Sequence, residues 1–192
     1  MLNSFQLLLT QIVQAAVTMG SIVIVLWIIH FVDTWLMQGG LKQRFGIQPR
    51  TSFNPLNFLI APLLHVNFAH LIGNSVPLFV LGALVLVQGQ LTFWLTTLFV
   101  MLVAGISTWF LGKPNSLHVG ASGVILGYFG YILANVFFRP DLATILVATV
   151  VVVLYIGLIW QILPRKGVSF TGHLFGFLGG ILAAWVAFLF LR

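Results

Sequence analysis

The chain has no cysteine and no glutamate, and its two acids are Asp33 and Asp141. Without cysteine there is no disulfide, no thiolate nucleophile and no Cys-ligated metal or iron–sulfur site. Asp33 lies near the end of the first apolar run and Asp141 between the fourth and fifth, so the parity of the runs puts them at opposite faces of a membrane. They cannot share a proton as a carboxylate dyad, and no HExxH is present to supply the zinc-protease motif. Charge of either sign is scarce: 5% of residues are charged, against about a quarter in an ordinary soluble domain. So few charged side chains cannot cover a soluble protein of 192 residues, which makes the bilayer the solvent. The net charge of +6 is no nucleic-acid footprint, because the eight cations are spread over several loops.

What the sequence does contain is apolar length. Hydrophobic residues make up 60% of it and the mean hydropathy is +1.14. Six runs suffice to span a bilayer, at about 16–37, 68–88, 91–112, 120–138, 142–163 and 172–191. Periodicity cannot separate strand from helix in runs this apolar, but barrel strands are about half as long and alternate. The expected fold class is therefore an all-α membrane protein, a six-transmembrane-helix bundle forming a single domain over residues 1–192. No cleavable signal peptide is evident, since residues 1–14 carry no positive n-region. The one long connection is residues 38–67, and a loop that long is often functional.

Chemistry-bearing residues gather at one face by the same parity. His65 and His70 stand at the head of span 2, His118 and Ser122 at the head of span 4, and His173 at the head of span 6. Ser122 sits in GASG, residues 120–123. Its glycines leave a helix N-terminus open, where N–H groups have no intrahelical partner, so a hydroxyl there could attack a carbonyl whose oxyanion those groups stabilise. The plainer reading is packing, because small residues commonly line membrane helix contacts and Gly123, Gly127 and Gly130 continue the small face.

His173 stands in TGHLFGFLGG, with Gly176 and Gly180 three and seven residues on, a face bare enough for another helix to come close. An ionisable residue in a span is a functional candidate; its structural alternative is a hydrogen bond across a helix interface. In HVNFAHLIGN, His70 and Asn74 are four apart and share a helix face. Two side-chain donors there can form an oxyanion hole, a metal site, or interhelical polar glue. A Ser-His-Asp triad would require Asp33, so a Ser-His dyad is more economical. Asp33 itself reads as a span-end residue at the membrane interface, and Arg165 and Lys166 as a topology signal or a lipid contact.

Together the three blocks resemble the rhomboid family of intramembrane serine proteases. HVNFAHLIGN, GASG and GHLFGFLGG occur in the family's order, at the heads of spans 2, 4 and 6, and the resemblance runs from about residue 44 to 191. It implies that Ser122 is the nucleophile and His173 its general base. His70 and Asn74, with the backbone N–H of Ser122, would form the oxyanion hole. Gly120 and Gly123 flank the serine, and Gly176 and Gly180 would let span 6 pack against span 4. The implied substrates are transmembrane segments of other membrane proteins, cleaved among membrane lipids without metal or cofactor, in the inner membrane of a bacterial cell. Span 5 and residues 164–171 would be gate and cap.

The chain departs from the family's pattern in having no Trp-Arg pair in 38–64, Leu126 where an aromatic often lies four after the serine, and no soluble N-terminal domain. The loop charges also conflict with the family. Lys42, Arg44, Arg50, Lys113, Arg165 and Lys166 lie on the odd loops, against Arg139 and Arg192 opposite. The positive-inside rule would put the odd loops in the cytoplasm, whereas the resemblance puts the site outside. The competing readings are an inactive client-binding member of the family, a transporter, and a haem- or metal-binding protein using His65, His70, His118 and His173.

Overall fold

A computed structural model describes residues 3–51, 53–163 and 169–190. Arg165, Lys166, Arg192 and most of the expected cap lie outside them. Among the described residues eight α-helices follow one another: α1 (Ser4–Phe31), α2 (Gly40–Phe45), α3 (Leu56–Ile60), α4 (Phe68–Leu86), α5 (Gln90–Leu111), α6 (Ser122–Phe138), α7 (Leu142–Tyr155) and α8 (Phe170–Phe190). A π-helical turn at Val32–Leu36 prolongs α1, and a 3-10 segment at Ile156–Ile162 prolongs α7. Five of these, α1 and α7 with their extensions and α4, α5 and α8, are long and apolar enough to cross a membrane, and α6 is a shorter apolar helix. The described residues contain no strand; one isolated bridge joins Ile47 to His118.

The first helix begins at Ser4, well before the expected start of span 1. The cause is a capping box that hydropathy does not register. Asn3 Oδ1 accepts from Gln6 N–H at 2.8 Å and Gln6 Oε1 accepts from Asn3 N–H at 3.0 Å, which satisfies two free donors at the helix start.

The centre of the bundle is α6, where an unbroken run from Val124 to Ile132 is buried. Its 17 residues give about 26 Å at 1.5 Å per residue, less than the roughly 30 Å hydrocarbon thickness. The head of α6 lines a small cavity with residues of α5 and α8. The contact of α6 with α8 is backbone on backbone. A Cβ at Gly176 would collide with the carbonyl oxygen of Gly123, one at Gly180 with that of Gly127, and one at Gly130 with that of Phe177. The small-residue pattern thus sets both the separation and the register of the two helices.

The connection 38–67 is ordered by docking on α5. Phe58 lies where any side chain at Gly105 would have to be, 2.7 Å from the position of its Cβ. Phe53 meets Trp109 edge to face with centroids 5.2 Å apart. Asp33 lies near the end of the first span, just ahead of this connection, and finds its partners within the protein. Asp33 is 1% exposed, pairs with Lys42 Nζ at 3.1 Å and accepts from Leu41 N–H at 2.8 Å. Water cannot solvate a carboxylate buried this deeply, so it needs these partners, and the pair staples α1 to the head of α2.

Candidate active site

Three elements bring their ends together. Ser122 is the first residue of α6. The first amide to bond within that helix is that of Ile125, to the Ala121 carbonyl at 3.0 Å, so the N–H groups of the opening turn are free. Gly120 shapes the approach with φ +121°, a conformation that favours glycine. His173 is in the first turn of α8, buried, and its Nε2 lies 2.7 Å from Ser122 Oγ.

The tautomer of His173 follows from its second contact. Nδ1 lies 2.8 Å from the carbonyl oxygen of Gln161. A carbonyl can only accept, so Nδ1 carries the proton, and in the neutral ring Nε2 is then the acceptor. The Ser122 hydroxyl accordingly donates to Nε2. A serine hydroxyl directed at an unprotonated imidazole nitrogen, with that ring oriented from behind, can lose its proton as it attacks an electrophile.

A second histidine stands beside this pair. His118 lines the same small cavity, about 50 Å³ in volume, as Ser122, Ser169, Gly172 and His173. Ser116 Oγ–H donates to the Lys113 carbonyl, so His118 Nε2–H donates to Ser116 Oγ at 2.7 Å. Ser169 Oγ–H in turn donates to His118 Nδ1, also at 2.7 Å. This chain ties the segment ahead of α6 to the residue ahead of α8. Burial, and next the proximity of His173, hold the His118 pKa below the ordinary histidine range.

The other expected residues are nearby with different partners. The half-buried His70 ring packs on Gly120, where a Cβ would come within 2.5 Å of it. Asn74 is buried, and its Nδ2 donates to His65 Nε2 at 3.1 Å. Sequence reasoning placed Asn74 and His70 on one helix face as two donors; between them stands His65, which takes the Asn74 hydrogen bond and whose ring lies edge to face with that of His70 at 5.2 Å. Burial, then His70 and His30, push the His65 pKa down to about 3, which suits a nitrogen that accepts from an amide. Gly123, Gly176 and Gly180 occupy the helix contact expected of them.

The four histidines of the metal-site reading do not converge: no group of three or more His, Cys, Asp or Glu among the described residues is placed to hold a metal ion. Asp33 is committed to Lys42 and Leu41, not to an imidazole, and among the described residues no aromatic ring packs on His173. The orienting group that sequence reasoning missed is the Gln161 carbonyl, which every residue type carries.

The same chain is matched by known proteins. A sequence model of the Rhomboid domain covers residues 53–190. An uncharacterized protein of Mycobacterium tuberculosis is 32% identical over 178 residues, 88% of this chain and 73% of the relative. An uncharacterized protein of Mycobacterium leprae is 34% identical over 136 residues, 66% of this chain and 53% of its own length. A Bacillus subtilis protein titled "Putative rhomboid protease YdcA" is 32% identical over 130 residues, 67% of this chain and 65% of that protein.

Proposed function

The chain belongs to the rhomboid family of multi-pass integral membrane proteins, and on that premise we propose that it is a serine endopeptidase of the bacterial inner membrane that cleaves transmembrane segments of other proteins. The observation that carries this reading is the Ser122 Oγ to His173 Nε2 hydrogen bond at 2.7 Å, made by a ring whose other nitrogen is held on a carbonyl. Ser122 attacks the scissile carbonyl while His173 takes its proton, and then returns that proton to the leaving amine. The free N–H groups at the head of α6 stabilise the oxyanion, with His70, packed on Gly120, at its edge. Asn74 acts through His65 to hold that corner. The dyad mechanism calls for no metal or cofactor.

The surroundings support a membrane-embedded peptide as substrate. A transmembrane helix has its amides bonded internally, so it must unwind before a carbonyl is exposed to Ser122. The polar groups at the head of α6 offer replacement partners for the freed amides. The cavity beside Ser122 holds about 50 Å³ and is lined in part by Ala104, Gly105 and Gly172, room for a small side chain next to the scissile bond.

The test is fluorophosphonate labelling in mild detergent of wild type, Ser122→Ala and His173→Ala, each run beside cleavage of a single-span substrate. Wild type should label and cleave, and both variants should lose both activities. Ser122→Ala labelling as strongly as wild type, or a folded wild type that does neither, would reject the assignment.

A further inference from the structure

The 3-10 segment at the end of the fifth span makes one contact that its packing does not require. Residues Ile156–Ile162 rise about 2.0 Å each in this form instead of 1.5 Å. Over seven residues that carries the chain roughly 3.5 Å further along its axis than an α-helix would. The extension delivers the Gln161 carbonyl to within 2.8 Å of His173 Nδ1. That carbonyl is free to accept for a covalent reason. In a 3-10 pattern its partner would be the amide three residues on, and that residue is Pro164, which has no N–H. The last bond of the segment is Leu163 N–H to the Trp160 carbonyl, long at 3.4 Å.

We propose that the 3-10 end of the fifth span is a positioning element of the active site, its Gln161 carbonyl fixing the His173 ring in the tautomer that can accept the Ser122 proton. The inference rests on the serine-protease reading and adds a regulation to it. α7 and its extension are lightly held: 17% of the span's window is buried, against 39% for α8, and Leu158 is the one buried side chain of the 3-10 segment. A shift of this end would withdraw the carbonyl and free the ring to change tautomer or turn. The ability of His173 Nε2 to take the Ser122 proton is therefore tied to the position of this lightly buried span, while the distance between α6 and α8 stays fixed by their glycines.

The test changes one backbone linkage and no side chain: it weakens the Gln161 carbonyl and removes the Ile162 N–H. Replacing Ile162 by its α-hydroxy acid turns the Gln161–Ile162 amide into an ester, whose carbonyl is a weaker acceptor. The same replacement at Leu163 is the control, since it removes the Leu163 N–H bond and leaves the Gln161 carbonyl an amide. Ring nitrogen-15 NMR of His173 in wild type should report a proton on Nδ1 and a bare Nε2, and the ester at 162 should show mixed tautomers. In the same protein kcat and the fluorophosphonate labelling rate should fall about tenfold, the scale of one hydrogen bond, with KM within about twofold. The control, and Gln161→Ala, which keeps the carbonyl, should stay within about twofold of wild type. A wild-type ring protonated on Nε2, an ester at 162 no different from the control, or a Gln161→Ala as damaging as that ester would each overturn the proposal. The NMR readout needs no turnover, so loss of the protease reading is seen separately, as a wild type with the right tautomer and no labelling.

Discussion

α8 carries the imidazole of His173, and its two neighbours hold that ring in opposite ways: α6 through Ser122, and the 3-10 extension of α7 through the Gln161 carbonyl. α8 lies against α6 so closely that glycine carbonyls on one helix occupy the space of a side chain on the other. α7 buries only Ala148 and Val151 within its α-helical part and reaches the site through a change from α to 3-10 helix. The first arrangement fixes a distance, because backbone packed on backbone has no rotamer to adjust. The second fixes an orientation through a single bond on an element that can move at small cost. A dyad without a carboxylate needs both: closeness from one neighbour, tautomer from another.

The largest effect should come from spoiling the rigid contact. Gly180→Ala places a methyl on the Gly127 carbonyl, an overpacking with a cost of about 3 kcal/mol. It should lower thermal stability in detergent and cut cleavage about 100-fold, as small displacements of reacting groups do. An unchanged melting temperature would show that the two helices can part freely, which would erase the contrast with α7.

The next effect tests whether the far periphery has its own rigid point. Asp33→Asn removes the buried charge that holds Lys42 and the Leu41 amide and should cost about 2 kcal/mol, below the full value for a buried pair because Lys42 is partly exposed. Proteolysis of the 38–67 connection should become faster, with the fluorophosphonate rate of the surviving protein nearly unchanged.

Acid tests a third kind of packing, around His65. Its folded pKa of about 3 lies below the ordinary 6.5, so between those values the unfolded chain binds a proton that the folded chain refuses. Stability from this residue is complete above pH 6.5 and is lost as pH falls, about 2 kcal/mol by pH 5. His65→Asn should flatten that slope; an equally steep acid loss in the variant would assign it to another group.

The smallest effect belongs to the lipid-facing side of the lightly held helix. Val153, exposed on α7, should tolerate Ala within about 0.5 kcal/mol and without change in cleavage. A large loss there would mean that α7 is gripped by something beyond its described contacts.

Much of this was legible in the chain because it depends on local pattern. Apolar length gave six helices, and the spacing of Gly123, Gly127, Gly176 and Gly180 marked faces bare enough for close contact. The serine between glycines and the histidine three ahead of another marked the ends that meet. The start of α1 was missed because a capping box is a hydrogen-bond signal inside a run that hydropathy treats as undifferentiated. The partner of Asp33, Lys42, was not foreseen because it lies across a turn whose π-helical geometry the composition does not encode.

By itself, then, the sequence determined the solvent, the helices, the small-residue seam and the exclusion of carboxylate and thiolate chemistry, because each of these follows from residue type and short-range spacing. Only the tertiary structure decided that Asn74 bonds to His65, that His118 bridges Ser116 and Ser169, and that a main-chain oxygen at Gln161 orients His173. The physical reason is that these depend on which donor meets which acceptor across helices. A backbone carbonyl, in particular, is the same in every residue until the fold brings one of them to the ring.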